Sequence, residues 1–168
     1  MNEAHLTGGP TREDGPHGPR IALYQPDIAG NTGAILRLGA CMGMGVEIIG
    51  PAGFDMSDRT LKRAGMDYLA MAGLTRHVDW PAFEAWRCEE QRRLVLFTTR
   101  GAAPLWDFAF RRDDVLLFGR ESAGVPETVH AAADAAVLIP MPGGGRSLNL
   151  AMSAAMAAGE AMRQLAPQ

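Results

Sequence analysis

Short segments that are apolar along their whole length constrain the fold of this chain more than any other feature of its sequence. Ile21-Ala-Leu-Tyr-Gln, Val46-Glu-Ile-Ile, Arg93-Leu-Val-Leu-Phe-Thr, Asp114-Val-Leu-Leu-Phe-Gly and Ala136-Val-Leu-Ile-Pro read as strands, with a weaker one near Leu74–Val78. A strand with no polar side leaves no face for water, so its sheet must be covered on both faces. Helical patterns stand between the strands: Asn31 to about Met44, with Ile35, Leu38 and Met42 at helical spacing; Asp58 to Ala64, with Asp58 as cap; Pro81 to Glu90; Pro126 to Ala133; and Leu148 to Leu165. The alternation predicts an α/β fold, a mostly parallel six-stranded sheet with helices on both faces.

The 168 residues are enough for one domain with a sizeable core. Residues 1–19, with four Gly and three Pro, read as a disordered tail, and residues 20–168 as a single domain. Cys41 and Cys88 form neither a zinc motif nor a disulfide framework, and the four His lack ligand spacing, so no metal is expected. No secretory signal is visible, and Ala151–Gly159 is too short an apolar run to span a membrane. A cytoplasmic protein without a membrane partner is the expectation. The net charge of −3 argues against a general nucleic-acid coat but allows a local basic patch.

In open α/β sheets, ligands bind beyond the carboxyl ends of the strands. The loops expected there are Asp27-Ile-Ala-Gly-Asn-Thr-Gly, Thr98-Thr-Arg-Gly, Gly119-Arg-Glu-Ser-Ala-Gly and Pro142-Gly-Gly-Gly-Arg-Ser-Leu-Asn. All are rich in glycine and small polar groups, which allow close backbone approach and supply hydrogen bonds. There is no GxGxxG after the first strand, no GxxxxGK[ST] and no GxSxG, so a nicotinamide fold, a P-loop and a serine hydrolase all lack their fingerprints.

Three stretches in order, Asn31-Thr-Gly-Ala-Ile-Leu-Arg37, Phe118-Gly-Arg-Glu-Ser-Ala-Gly124 and Ile139-Pro-Met followed by Ser147-Leu-Asn-Leu150, resemble the motifs of the SPOUT methyltransferases, and within them the SpoU branch. Leu23-Tyr-Gln-Pro-Asp-Ile, Lys62-Arg-Ala-Gly-Met-Asp-Tyr, Thr75-Arg-His and Ala161-Met-Arg-Gln-Leu are similar to the small bacterial members of that branch that methylate the tRNA wobble nucleotide. The resemblance covers about Ile21 to Leu165. It implies a C-terminal deep trefoil knot, a homodimer with the active site at its interface, S-adenosyl-L-methionine as cofactor and the tRNA anticodon stem-loop as partner. The implied substrate is the ribose 2′-hydroxyl of cytidine or carboxymethylaminomethyluridine in leucine tRNAs. Methylation at another tRNA or rRNA position, or a catalytically idle module that binds RNA or S-adenosyl-L-methionine, are the alternatives.

The resemblance assigns catalysis to Arg37, Asn31 and Glu121. Cofactor contacts carry over as Phe97, Thr98, Gly119, Ile139, Ser147, Leu148 and Asn149. Lys62, Arg63, Arg76, His77, Arg100 and Arg120 are phosphate candidates, of use only as a patch. Read without the family, Arg37 is a surface helix arginine, Asn31 and Ser147 are helix caps, and Phe97 and Ile139 are strand core. Gly159 stands where close relatives can carry an aromatic residue.

Overall fold

The computed structural model describes residues 18–57, 59–60, 73–100 and 103–167. Seven strands are present there: β1 Arg20–Tyr24, β2 Val46–Ile49, β3 Leu74–His77, β4 Arg93–Phe97, β5 Ala103–Pro104, β6 Asp114–Phe118 and β7 Ala135–Leu138. They form one sheet in the order β3-β2-β1-β6-β4-β7-β5, and every pairing is parallel. The expectation of six strands missed β5. It is two exposed residues at the sheet edge, without an apolar run to mark it, and an edge is where Pro104 does least harm by lacking an N–H. The predicted tail up to His17, and most of the helix predicted from Asp58, lie outside the described residues.

Side chains alternate between two cores, as the strand period requires. Ile21, Leu23, Val95, Phe97, Leu116 and Phe118 point to one face, under helices α1 (Ala29–Met42) and α4 (Leu150–Leu165). Ala22, Tyr24, Leu94, Leu96, Val115 and Leu117 point to the other, under α2 (Trp80–Glu89) and α3 (Glu127–Ala132). Asp79 starts α2 by accepting from the Ala82 N–H at 2.9 Å, with Pro81 in the first turn. The apolarity of α4 now has a structural reason. Ala154, Ala157, Ala158 and Ala161 are fully buried, and their small side chains let α4 lie close against α1 and the sheet.

One polar residue interrupts β2. The Glu47 carboxylate is completely buried and is matched by Arg20 Nε and by His77 Nε2, the latter at 2.6 Å. His77 also packs edge-on against Phe83, with ring centroids 5.3 Å apart. Arg20 is partly exposed, so removing the glutamate leaves less stranded charge than breaking a fully buried pair. Glu47→Ala is expected to lower unfolding stability by roughly 2 kcal/mol in urea melts. A loss near zero would mean that water replaces the carboxylate without penalty.

Candidate active site

The sheet order decides which loops meet. Because β6 inserts beside β1, the loops after them lie together although their residues are 94 apart in sequence. With the segments after β4 and β7, they enclose a cleft of about 490 Å³, within the usual range for small-molecule sites. Its floor is apolar: Leu96, Phe97, Phe118 and Val137, with Ile139 and Met141 at one side. Phe97 and Phe118 are register partners on β4 and β6, and their rings stack at 4.8 Å. The rim is polar: Asn31, Thr98, Thr99, Glu121, Arg146, Ser147, Asn149 and Ser153.

A chain of hydrogen bonds crosses the rim. The Asp27 N–H donates to Glu121 Oε2 at 2.8 Å, and Asn31 Nδ2 donates to Glu121 Oε1 at 3.3 Å. Asn149 Nδ2 donates to Asn31 Oδ1 at 3.1 Å. Asn149 Oδ1 meanwhile accepts from the N–H groups of Ala151 and Met152, so it caps α4. The starts of α1 and α4 and the loop after β6 are thus joined through three side chains. Before that cap, Gly144 and Gly145 take φ values of 75° and 152°, which side chains disfavour. This is why glycines stand directly before an apolar helix: the loop must turn at the cleft mouth to bring Asn149 to Asn31.

The Asp27 carboxylate accepts from Arg120 Nη2 at 2.8 Å, from the Ser122 N–H at 3.1 Å and from the Ser122 hydroxyl. The Arg120 hydrogen bond and then the Ser122 hydroxyl hold the Asp27 carboxyl down at about 2. Asp27 in turn raises Arg120 above the usual arginine range. A depressed carboxylate pKa stabilises the fold at pH values above the ordinary carboxyl value, and that contribution fades only as pH falls towards 2. The pair is therefore intact across the neutral range.

Every catalytic and cofactor candidate except Arg37 lines the cleft. Arg37 is exposed, further along α1. The capping roles considered for Asn31 and Ser147 fall instead to Ile28, which offers α1 no side-chain bond, and to Asn149. Among the described residues, the phosphate candidates do not form one patch. Arg120 is in the cleft, tied to Asp27. Arg100 pairs with Glu127 at 3.1 Å on the surface. Arg76 and His77 belong to β3, at the far edge of the sheet, and His77 is buried against Glu47 and unsuited to meet a phosphate. Lys62 and Arg63 lie outside the described residues. The sequence reading did not single out Asp27, Ser122 or Arg146. Asp27 stood in a loop it had marked, but only the strand order shows which loop that one faces. Among the described residues no group of three or more His, Cys, Asp or Glu could hold a metal ion, and no helix is long and apolar enough to cross a membrane.

Residues 18–159 match the SpoU rRNA Methylase family. A tRNA (cytidine(34)-2′-O)-methyltransferase of Beijerinckia indica subsp. indica is 59% identical over 145 residues, covering 86% of this chain and 91% of that protein. A solved structure concerned with 2′-OH methylation of C/U34 on tRNA superposes with a TM-score of 0.83 at 44% identity, covering 90% of this chain and 98% of the other. The methyltransferase AviRb of Streptomyces viridochromogenes, solved with AdoMet, gives a TM-score of 0.80 at 29% identity, over 98% of this chain and 63% of its own.

Proposed function

This chain belongs to the SpoU rRNA methylase family, and we propose that it methylates the ribose 2′-hydroxyl of the wobble nucleotide, C34 or U34, of tRNA, using S-adenosyl-L-methionine. The observation that carries this reading is the convergence at the cleft. Loops distant in sequence bring Asn31, Glu121 and Asn149 into one hydrogen-bonded row above an apolar floor.

The cleft suits the cofactor's mixed chemistry. Phe97, Phe118, Val137 and Ile139 offer apolar surface to an adenine, while backbone at Gly119, Ile139 and Leu148 and the hydroxyls of Thr98 and Ser147 offer polar contacts. Arg146 and the start of α4 favour a carboxylate. When bound, the cofactor supplies a methyl already activated by its sulfonium. The protein's remaining tasks are to align the ribose oxygen in line with that methyl and to manage the hydroxyl proton. Glu121 and Asn31 fix the edge where the ribose enters. Arg37 is the cation for the developing alkoxide, since an arginine keeps its charge at neutral pH.

Arg37 is absent from the cleft lining of a single chain, which favours a homodimer whose second copy completes the site. Exposed Ile28, Leu148 and Met152 beside the starts of α1 and α4 give such a copy an apolar surface to cover. A trefoil knot at the C-terminal end is part of the same reading. Its support is that β7 pairs between β4 and β5, two strands that precede it in the chain with no other strand between them among the described residues. The anticodon stem-loop is the RNA element, and leucine tRNAs in the cytoplasm are the substrates.

The test uses total tRNA from a strain lacking this gene, incubated with the protein and labelled S-adenosylmethionine. Mass spectrometry of the digested nucleosides should find labelled 2′-O-methylcytidine or 2′-O-methyluridine derivatives that map to the wobble position. Label at another position would move the substrate elsewhere in RNA. No label in any RNA would remove the enzymatic reading. Light scattering at micromolar concentration should give a dimer, and a monomer would contradict the shared site.

A further inference from the structure

Arg120 is partly exposed, but its guanidinium is tied to the protein at two of its nitrogens. Its Nη2 donates to Asp27 at 2.8 Å and its Nη1 donates to Gln25 Oε1 at 3.3 Å, while its Nε is buried with no hydrogen-bond partner among the described residues. Gln25 takes a φ of 42° directly after β1, an uncommon conformation for a side-chain-bearing residue. On the other side of the pair, Asp27 ties down three consecutive residues of the loop after β6. Its carboxylate takes Arg120 and both the N–H and hydroxyl of Ser122, and its own N–H reaches Glu121 Oε2 at 2.8 Å. The loop is closed on itself by two backbone hydrogen bonds of 2.9 Å between Arg120 and Gly124. The Glu121 carboxylate therefore has one oxygen fixed by Asp27 and the other by Asn31.

A partly exposed ion pair contributes little to global stability. Its effect here is positional, because it lies directly behind a carboxylate that must be aimed. We infer that Asp27 and Arg120 form an intramolecular latch that positions Glu121 for methyl transfer, and that Arg120 acts through Asp27 and not as an RNA phosphate contact. The inference rests on the methyltransferase reading for its catalytic consequence, but the latch itself can be measured without any substrate.

The experiment compares Asp27→Ala, Arg120→Ala, the double variant and Asp27→Glu in the full chain. Each single alanine should lower kcat about tenfold or more, as misplacement of a catalytic group does. The double variant should be no worse than the poorer single, since both break one unit. KM for tRNA and S-adenosylhomocysteine affinity should stay within about twofold, and Asp27→Glu should recover most of the loss. Removing a phosphate contact would lower the logarithmic salt slope of tRNA binding by about 1, whereas removing a latch leaves it unchanged. Independently of turnover, amide hydrogen exchange at Asp27, Ser122 and Gly124 should quicken in Asp27→Ala. Unchanged exchange overturns the latch. So does Arg120→Ala acting through KM and salt slope while Asp27→Ala keeps full activity. If the wild type methylates no RNA but these amides quicken, the latch stands and the methyltransferase reading is what fails.

Discussion

Replacing Arg37 with alanine should lower kcat for methyl transfer by about 100- to 1,000-fold, the usual loss when a donor to a developing oxyanion is removed. S-adenosylhomocysteine affinity should change by less than about twofold, because the role proposed for Arg37 is at the ribose oxygen and not among the cofactor contacts. The ribose hydroxyl is a weak acid, and its oxygen gains charge as the proton leaves. A nearby cation is then worth more in the transition state than in the ground state, so the deficit falls on kcat. Arg37→Lys should recover only part of the rate, since an ammonium keeps the charge and loses the planar fork. Mixed dimers sharpen the test. If Arg37 serves the partner's cleft, a dimer of one Arg37→Ala chain and one chain unable to bind cofactor retains a single working site. A homodimeric Arg37→Ala protein within twofold of wild type would remove Arg37 from the chemistry, and the cation would have to be sought elsewhere on the cleft rim.

The parallel sheet was legible because burial on both faces leaves a direct trace: β1, β4 and β6 are apolar almost throughout, and their alternate residues divide cleanly between the two cores. β5 left no trace, since two exposed residues at an edge need neither apolarity nor length. The cleft candidates were legible through motif order, and loop position at strand ends supported them. The partners of Arg120 and His77 were hidden for one shared reason. A charged residue reads as a surface group unless its partner is known, and both partners, Asp27 and Glu47, come from other strands or loops. Contacts made across the sheet depend on strand order, which periodicity does not report. Asn149 shows the same gap on a smaller scale. Ser147, Asn149 and their neighbours are all acceptable caps, and the choice falls on the residue that can also reach Asn31.

Gly119→Ala should reduce kcat/KM by about 100-fold. A Cβ built on Gly119 would stand 2.6 Å from the carbonyl carbon of Gly124 and 2.7 Å from its Cα. Those are backbone atoms, so no rotamer change relieves the clash, and the two hydrogen bonds that close the loop between Arg120 and Gly124 must stretch or break. Arg120 and Glu121 lie inside that loop. Spreading it draws Arg120 from Asp27 and Glu121 from Asn31 together, and shifts the backbone at the cleft edge. Cofactor affinity should accordingly fall by about tenfold or more, which separates this variant from Arg37→Ala. Gly124→Ala is the matched control. Its Cβ would meet nothing within 4 Å, but its φ of 64° disfavours a side chain. Its cost is backbone strain of about 1 kcal/mol with the loop still closed. Calorimetric titration with S-adenosylhomocysteine and single-turnover rates on both variants separate the two effects. Equal losses in the two would mean that strain alone disables the loop. A nearly normal Gly119→Ala would mean that the loop can open without moving Glu121, and Glu121 would then be held by Asp27 and Asn31 alone.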